Sequence, residues 1–239
     1  MSFLPLELLE SGAAELGVAL TADQLDQFDR FASFLVETNR SFNLTRITDP
    51  ADIVTAHYLD SLSSLSALAL RPGERVIDVG TGAGLPGIAI AIVCKDVSVT
   101  LLDSSQKKAR FLSEAAERLG LTNAKTLPLR AEDAGRDPAE REQYDAAFAR
   151  ALARMSVLVE LCLPLVTPGG HLVAQKSTGA QVQEEIAEAK PLIERLGGQI
   201  SDVLEVKIPS TSITRSLVVV SKVKPTPASF PRPYAQIIR

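Results

Sequence analysis

Apolar and polar positions along the first 70 residues repeat at the spacing of an α-helix. Thr21 and Gln24 form a capping-box pattern, and the helix that follows is predicted to bury Leu25, Phe28, Ala32 and Leu35. A second helix is predicted to begin at Asp49-Pro50 and to end before Pro72-Gly73. We therefore predict an N-terminal helical extension over residues 1–70.

Beyond this extension, short apolar segments alternate with amphipathic segments of helix length, which is typical of a parallel sheet covered on both faces. The last two apolar segments are joined only by Pro209 to Ser212. Because a parallel crossover needs a dozen or more residues, this final pair is predicted to be an antiparallel hairpin. The fold class is thus α/β, with a seven-stranded and mostly parallel sheet whose strands are predicted at 75–79, 97–103, 124–129, 144–149, 170–176, 200–207 and 215–222.

The chain divides into three predicted parts. The helical extension is followed by a Rossmann-like domain over residues 71–224 and by a Pro-rich C-terminal tail over residues 225–239. Four prolines in the tail argue against a regular helix or a central strand there: Pro225, Pro227, Pro231 and Pro233.

Composition excludes several classes of protein. The 239 residues are 46% hydrophobic, which is enough for a packed core, and the longest apolar run, Ile88 to Cys94, falls far short of the roughly 20 residues that span a bilayer. We expect a cytoplasmic monomer without a secretory signal or a membrane segment. Cys94 and Cys162 have no zinc-site spacing, so we expect no metal. A net charge of −4 limits nucleic-acid binding to a local basic patch.

A glycine-rich turn, Gly80-Thr81-Gly82-Ala83-Gly84-Leu85-Pro86-Gly87, follows the first predicted strand and precedes a helix. Glycines at Gly80, Gly82 and Gly84 let a ligand lie against the main chain at the carboxyl edge of the sheet. Asp103 ends the next strand about 20 residues later, where an acid can accept the hydroxyl groups of a ribose. The pattern predicts a nucleotide-like cofactor.

Two cofactors fit such a turn, because Gly82 to Gly87 also matches the G-x-G-x-x-G pattern of NAD-dependent oxidoreductases. Three features favour S-adenosylmethionine. The strand leads directly into Gly80-x-Gly82-x-Gly84, and Asp78 precedes the turn where the methionine amino group of this cofactor would lie. The terminal hairpin also fits a methyltransferase sheet better than a dinucleotide fold. NAD stays the alternative.

Charged residues follow the later strands at the same edge. Arg130 to Asp133 follow the third strand, where an acid or a backbone group can meet an adenine edge. Arg150 follows the fourth strand and Lys176 the fifth, so both cations are candidates for positioning a methyl acceptor. Solvated surface charge is the alternative interpretation for each of them.

Several motifs together are similar to one known family, the bacterial small-subunit ribosomal RNA methyltransferase G, also called glucose-inhibited division protein B. The resemblance covers nearly the whole chain, and the Gly-Leu-Pro-Gly extension of the turn is its most specific part. Lys176-Ser177, Ser216 and the segment Pro233 to Gln236 depart from the family's usual pattern. The motifs that carry the resemblance are Asn43 to Thr45, His57 to Ser61, Asp78 to Ile88, Leu102 to Ser104, Lys107 to Leu112, Ala149 to Ala153, Lys176 and Arg215 to Val219.

The resemblance implies a class I S-adenosylmethionine-dependent methyltransferase that modifies N7 of guanine 527 in 16S ribosomal RNA, as free RNA or in the small ribosomal subunit. It releases S-adenosylhomocysteine. Residues and resemblance together predict cofactor contacts at Asp78, Gly80, Gly82, Gly84, Leu85, Asp103, Ser104, Ser105, Ala131, Glu132 and Arg150. The predicted RNA-binding residues are Lys107, Arg110, Lys176, Arg215 and Arg232, with Arg40 and Arg46 as further phosphate contacts.

Guanine N7 carries an in-plane lone pair and is unprotonated at neutral pH, so no general base is predicted. Arg150 and Lys176 would instead orient the acceptor. His57 and Asp60 are predicted to dock a helix and not to take part in chemistry, while the helical extension and the tail are candidates for shaping the RNA crevice. Alternatives are the same fold acting on a protein or a small molecule, and a noncatalytic RNA-binding scaffold.

Overall fold

The computed structural model describes residues 2–238 and contains one seven-stranded sheet in the order β3-β2-β1-β4-β5-β7-β6. Strand β7 runs antiparallel to both of its neighbours, and the other pairs are parallel. The predicted fold class and terminal hairpin are therefore confirmed. The strands are β1 (Arg75–Val79), β2 (Ser98–Leu102), β3 (Ala124–Leu127), β4 (Tyr144–Arg150), β5 (Val166–Ser177), β6 (Gly198–Lys207) and β7 (Thr214–Lys222).

Helices flank the sheet and precede it. A helical segment over residues 50–66 joins two short α-helices through a π-helical turn, Ile53–Leu59, and ends in a 3-10 turn, Ser63–Ser66. A second 3-10 turn, Leu163–Leu165, leads into β5. The α-helices are α1 (Leu6–Glu15), α2 (Ala22–Asn39), α3 (Pro50–Asp52), α4 (Asp60–Leu62), α5 (Gly87–Val93), α6 (Gln106–Leu119), α7 (Ala131–Ala134), α8 (Met155–Cys162), α9 (Ala180–Arg195) and α10 (Tyr234–Ile237).

Side chains alternate between the two faces of the sheet, as the two-residue period of a strand requires. In β1, Val76 packs with the N-terminal helices, α5 and α6, whereas Ile77 and Val79 pack with α8 and α9 on the opposite face. The helical extension therefore shares its core with one face of the sheet. The division of the chain into three parts stays a prediction.

Both predicted helix starts are present. Thr21 accepts a hydrogen bond from the Gln24 backbone and Gln24 accepts one from Thr21 in return, while Asp49 caps the helical segment 50–66. The segment stops at Ser66, before Pro72-Gly73 as predicted. Its π-helical turn was not predicted, since this turn needs one extra residue that the apolar spacing does not signal.

Two sequence predictions are wrong. Strand β5 begins at Val166, four residues before the predicted start, because Val166 already pairs with Tyr144 across an irregularity in the register. The Pro-Gly-Gly residues that resemble a turn lie within this strand. The tail also contains a short helix, α10, because no proline occurs among Tyr234–Ile237.

Candidate active site

Two cavities adjoin one another at the carboxyl ends of the parallel strands. The larger has a volume of about 580 Å³ and the smaller about 280 Å³. They share four residues, Gly80, Lys108, Ala151 and Ala153. The carboxyl edge of such a sheet is where parallel α/β proteins bind ligands.

The glycine turn lines the larger cavity, and its first residue, Gly80, lines the smaller cavity as well. Gly80 has a φ of +71° and Gly82 a φ of +61°, a conformation that other residues adopt at a cost. A Cβ atom at Gly80 would lie 2.4 Å from Leu152 Cδ1, whereas at Gly82 it would meet only the Gly80 carbonyl oxygen, at 3.8 Å. The main chain at Gly82 is therefore open to a ligand.

Gly84 has a different role from the one predicted. A Cβ atom there would lie 2.7 Å from Ile88 and 2.9 Å from Leu112, both in the core. Gly84 lines neither cavity, whereas Leu85 lines the larger one. The third glycine thus permits close packing beneath the turn.

Asp78 lies fully buried beneath the same turn. Its Oδ2 atom accepts hydrogen bonds from the Thr81 hydroxyl at 2.5 Å and from the Gly87 backbone at 2.7 Å, while Oδ1 has no partner among residues 2–238. Burial raises the pKa of this carboxyl from 3.8 to about 6, against the effect of these two hydrogen bonds. Asp78 therefore fastens the turn to α5, and it is not at the ligand-facing surface where we had placed it.

Asp103 connects the turn to helix α6. Its Oδ2 atom accepts a hydrogen bond from the Gly82 backbone at 3.1 Å and pairs with Lys108 Nζ at 3.2 Å. Its Oδ1 atom accepts from the Ser105 backbone at 2.9 Å. Asp103 and the exposed Ser104 line the smaller cavity, whereas Ser105 caps α6 and lines neither.

The far wall of the smaller cavity comes from the loop after β3. Ala131 and Glu132 begin helix α7, and both line this cavity with Leu129. Glu132 is buried and lies 3.9 Å from the guanidinium of Arg130. The structure thus brings these residues to the same cavity as Asp103, in the positions predicted from their strand ends.

The loop after β4 separates the two cavities. Ala151 has a φ of +52°, which is unusual for a residue with a side chain, and it lines both cavities. Leu152 packs over Gly80, and the Ala153 carbonyl accepts a hydrogen bond from Lys176 at 2.9 Å. Contacts to β1 and β5 thus hold this loop in place.

Asp60 is the centre of the charge network in the larger cavity. Its side chain is only 4% exposed, and its two oxygens accept hydrogen bonds from Arg150 Nη1 at 2.8 Å and Arg215 Nε at 2.6 Å. Gln175 Nε2 donates to Asp60 Oδ1 at 3.0 Å. One carboxylate on the helical segment 50–66 therefore binds the ends of β4, β5 and β7. The sequence did not predict this role for Asp60, Gln175 or Arg215.

Lys176 also lines the larger cavity, and Glu185 holds it with an ion pair of 2.8 Å. Glu185 was not predicted, because nothing in the sequence pattern of α9 distinguishes it from the other glutamates of that helix. The four cations at the larger cavity share three carboxylates, so one positive charge is left over among these pairs: Lys108, Arg150, Lys176 and Arg215 against Asp60, Asp103 and Glu185.

The other predicted RNA-binding residues lie outside both cavities. Lys107 and Arg110 are exposed on α6, and the neighbouring Lys108 is the lysine that reaches the site. Arg232 forms a two-pronged ion pair with the buried Glu160, so its guanidinium already has a partner within the protein. Arg40 and Arg46 are exposed near the helical segment 50–66.

His57 forms part of the wall that the helical extension contributes to the larger cavity. Its Nε2 atom lies 2.8 Å from the Thr45 hydroxyl. Burial, and next the positive charge of Arg150, lower its pKa from 6.5 to about 4, so the imidazole is neutral at pH 7. His57 and Asp60 thus dock their segment against a loop and the sheet edge, as the docking interpretation expects.

Within residues 2–238, no helix is long and apolar enough to cross a membrane. The same residues contain no group of three or more His, Cys, Asp or Glu side chains placed to hold a metal ion. Cys94 and Cys162 are both free thiols.

Comparison with known proteins gives a family match. Residues 24–215 match the family described as rRNA small subunit methyltransferase G. The chain is 44% identical over 226 residues to ribosomal RNA small subunit methyltransferase G of Pelotomaculum thermopropionicum, covering 95% of this chain and 94% of that protein. The protein of the same name from Lactobacillus johnsonii is 44% identical over 228 residues, and the alignment covers 95% of each chain.

A solved structure supports the fold alone. Precorrin-6y C5,15-methyltransferase from Geobacter metallireducens superposes with a TM-score of 0.53 at 14% sequence identity, covering 77% of this chain and 96% of that one. The likeness agrees with the α/β fold described above. The resemblance seen in the sequence motifs is confirmed by the family match.

Proposed function

The chain belongs to the rRNA small subunit methyltransferase G family, and we propose that it transfers a methyl group from S-adenosylmethionine to N7 of guanine 527 in 16S ribosomal RNA. The observation that carries the proposal is the pair of adjoining cavities. The smaller holds the carboxylates Asp103 and Glu132, and the larger holds the cations Arg150, Lys176 and Arg215. A donor and an anionic acceptor therefore have separate sites that meet at Gly80.

The residues of the smaller cavity suit an adenosine group. Asp103 would accept the ribose hydroxyls, and Ala131 and Glu132 would meet the adenine edge. Gly82, which lines the larger cavity beside Gly80, leaves its main chain open to the cofactor. When bound, S-adenosylmethionine supplies a methyl group on a positively charged sulfur.

The residues of the larger cavity suit a nucleotide. Arg150, Lys176 and Arg215 can contact phosphate groups or the O6 edge of a guanine. Asp60 and Glu185 hold the three cations in fixed orientations, which lowers the entropy lost when RNA binds.

The chain needs no base for this reaction. Guanine N7 offers its lone pair directly, and the neutral His57 already has its Nε2 atom beside the Thr45 hydroxyl. Catalysis would then depend on holding the acceptor in line and on keeping water out of the cavity. The buried network around Asp60 supplies that rigidity.

We also propose that the protein acts as a monomer in the cytoplasm, where ribosomal RNA is made and assembled in bacteria. Among residues 2–238, the exposed large apolar side chains are few and isolated along the chain, which gives little surface for a stable dimer. They are Ile213, Val223, Tyr234 and Ile238.

The decisive experiment follows labelled methyl groups. The protein and labelled S-adenosylmethionine are incubated with small ribosomal subunits, and separately with free 16S RNA, from cells that lack this modification, and the modified nucleotide is mapped. Label on N7 of guanine 527 in either substrate is expected. Label in ribosomal protein, or at another nucleotide, would contradict the proposal.

A further inference from the structure

The Pro-rich tail reaches the smaller cavity. Tyr234, the first residue of α10, lines it together with Asp103, Ala131 and Glu132, whereas no residue of the described tail lines the larger cavity. The tail therefore lies at the smaller cavity, which we assign to adenosine. This position does not support our prediction that the tail shapes the RNA crevice.

The tail is held in this position by contacts along its length. Arg141 donates hydrogen bonds to the carbonyl oxygens of Thr226 and Phe230, both at 2.7 Å. The ion pair between Arg232 and the fully buried Glu160 follows, with a shortest distance of 2.6 Å. Tyr234 comes two residues later, so the Arg232–Glu160 ion pair also restricts the position of its backbone.

The ring of Tyr234 is placed where it could stack on a flat ligand. The Arg130 guanidinium lies 5.7 Å from its centroid, and Arg130 lines the same cavity. The tyrosine is nevertheless 40% exposed, which is unusual for a large apolar side chain in this protein. Leu102, Leu129 and Leu161 add an apolar lining to the cavity. A flat aromatic ligand would cover both the leucines and the exposed ring.

Resting on the proposed function, we infer that Tyr234 is an adenine-binding residue and that the tail completes the cofactor site. The loop that carries Ala131 and Glu132 lies beyond the ribose-binding Asp103, on the β3 side of the sheet, and Tyr234 borders that loop. The adenine ring of the cofactor stacks on the Tyr234 ring, and Arg130 steadies the ring by its cation–π contact. Arg232 acts as a positioning residue by fixing the tail to Glu160.

The test measures binding of S-adenosylhomocysteine and of adenosine by calorimetry. Because stacking of a base on an aromatic ring is lost in an alanine variant, Tyr234→Ala is expected to bind both ligands roughly tenfold more weakly. Tyr234→Phe keeps the ring and is expected to bind within twofold of the wild type. Ile238→Ala, which removes another exposed apolar side chain from the same tail, is the matched control and is expected to bind like the wild type. The ligand-free thermal midpoint is expected to be unchanged in all three.

The outcomes separate the two proposals. Failure of the wild type to bind S-adenosylhomocysteine would overturn the proposed function, and the inference with it. Wild-type binding by Tyr234→Ala would overturn the inference alone. A raised KM for RNA in Tyr234→Ala, with unchanged affinity for S-adenosylhomocysteine, would assign the tail to RNA and would also overturn the inference.

Discussion

At the smaller cavity, Asp103 bonds to groups two, five and 21 residues away, whereas at the larger cavity Asp60 bonds to groups 90, 115 and 155 residues away. The residues bonded to Asp103 belong to consecutive strand–turn–helix units. The larger cavity needs the helical extension, β4, β5 and β7 in their final places. The Asp103 part of the proposed donor site is therefore a local feature of the chain, to which the distant Tyr234 adds one wall, whereas the proposed acceptor site depends on the complete fold.

The largest effect is expected when the carboxylate at the centre of the larger cavity is removed. Asp60→Ala leaves Arg150 and Arg215 without their shared partner, and we expect a loss of about 3 kcal/mol in the free energy of unfolding. Methyl transfer to RNA should fall at least 100-fold, with little change in affinity for S-adenosylhomocysteine. Denaturant unfolding, methylation kinetics and calorimetry measure the three quantities.

Asp52→Ala is the matched control for Asp60→Ala, because Asp52 is exposed on the same helical segment. It should behave like the wild type in all three measurements. Equal losses of RNA methylation and cofactor affinity in Asp60→Ala would show that the two sites are not independent.

The buried charge of Asp78, beneath the glycine turn, is expected to lower the free energy of unfolding at neutral and alkaline pH. Since its pKa is raised from 3.8 to about 6, its contribution to stability is fully present below pH 3.8 and is lost as the pH rises through 6. Asp78→Asn removes the buried charge, so this variant should be more stable than the wild type at pH 8, by on the order of 3 kcal/mol.

The difference between Asp78→Asn and the wild type should shrink toward zero near pH 4, and denaturant unfolding at a series of pH values measures it. Asp133→Asn, at an exposed position, serves as the control and should show no such trend. A constant difference between Asp78→Asn and the wild type from pH 4 to pH 8 would mean that Asp78 is ionised throughout in the folded protein.

A substitution at Asp103 tests whether the smaller cavity can be altered without affecting RNA binding. Asp103→Ala removes the proposed acceptor for the ribose hydroxyls, and we expect the binding of S-adenosylhomocysteine to weaken by about 1–3 kcal/mol. The KM for RNA should stay close to that of the wild type. Calorimetry with unchanged affinity would remove Asp103 from the cofactor site.

The smallest expected effect concerns the glycine turn. Gly82→Ala and Gly73→Ala both place a Cβ atom at a positive φ, with little or nothing within 4 Å, so each should cost about 1 kcal/mol of stability. Only Gly82 adjoins the cavities, so only Gly82→Ala should weaken binding of S-adenosylhomocysteine. Equal affinities of the two variants would argue against a ligand lying on the main chain at Gly82.

The helix starts and the hairpin were predictable because each depends on residues close together in the sequence. Thr21 with Gln24 and Asp49 with Pro50 are complete signals by themselves, and the four-residue link before β7 excludes a parallel crossover. The errors occurred where tertiary contacts outweigh local preference. Strand β5 extends across a Pro-Gly-Gly segment because Val166 finds a partner in Tyr144.

The same distinction holds at the site. The positions of Asp103, Ala131, Glu132, Arg150 and Lys176 at the sheet edge follow from their places after successive strands, which the chain pattern specifies. Their partners do not follow from it. Lys108 rather than Lys107 reaches the site because of its rotation around α6, and Glu185 meets Lys176 because of how α9 packs.

The α/β sheet, the glycine turn and the family were predictable from the sequence, because strand pattern, turn chemistry and motif spacing are local properties of the chain. Three features became visible only in the folded molecule: Asp60 joins Arg150 to Arg215, Asp78 lies beneath the turn, and Tyr234 lies beside the smaller cavity. These contacts depend on which side chains meet across the packed faces of distant elements. The shape and charge of the packed elements select these contacts. The sequence contains no local pattern that predicts them, because most of the residues involved are far apart along the chain.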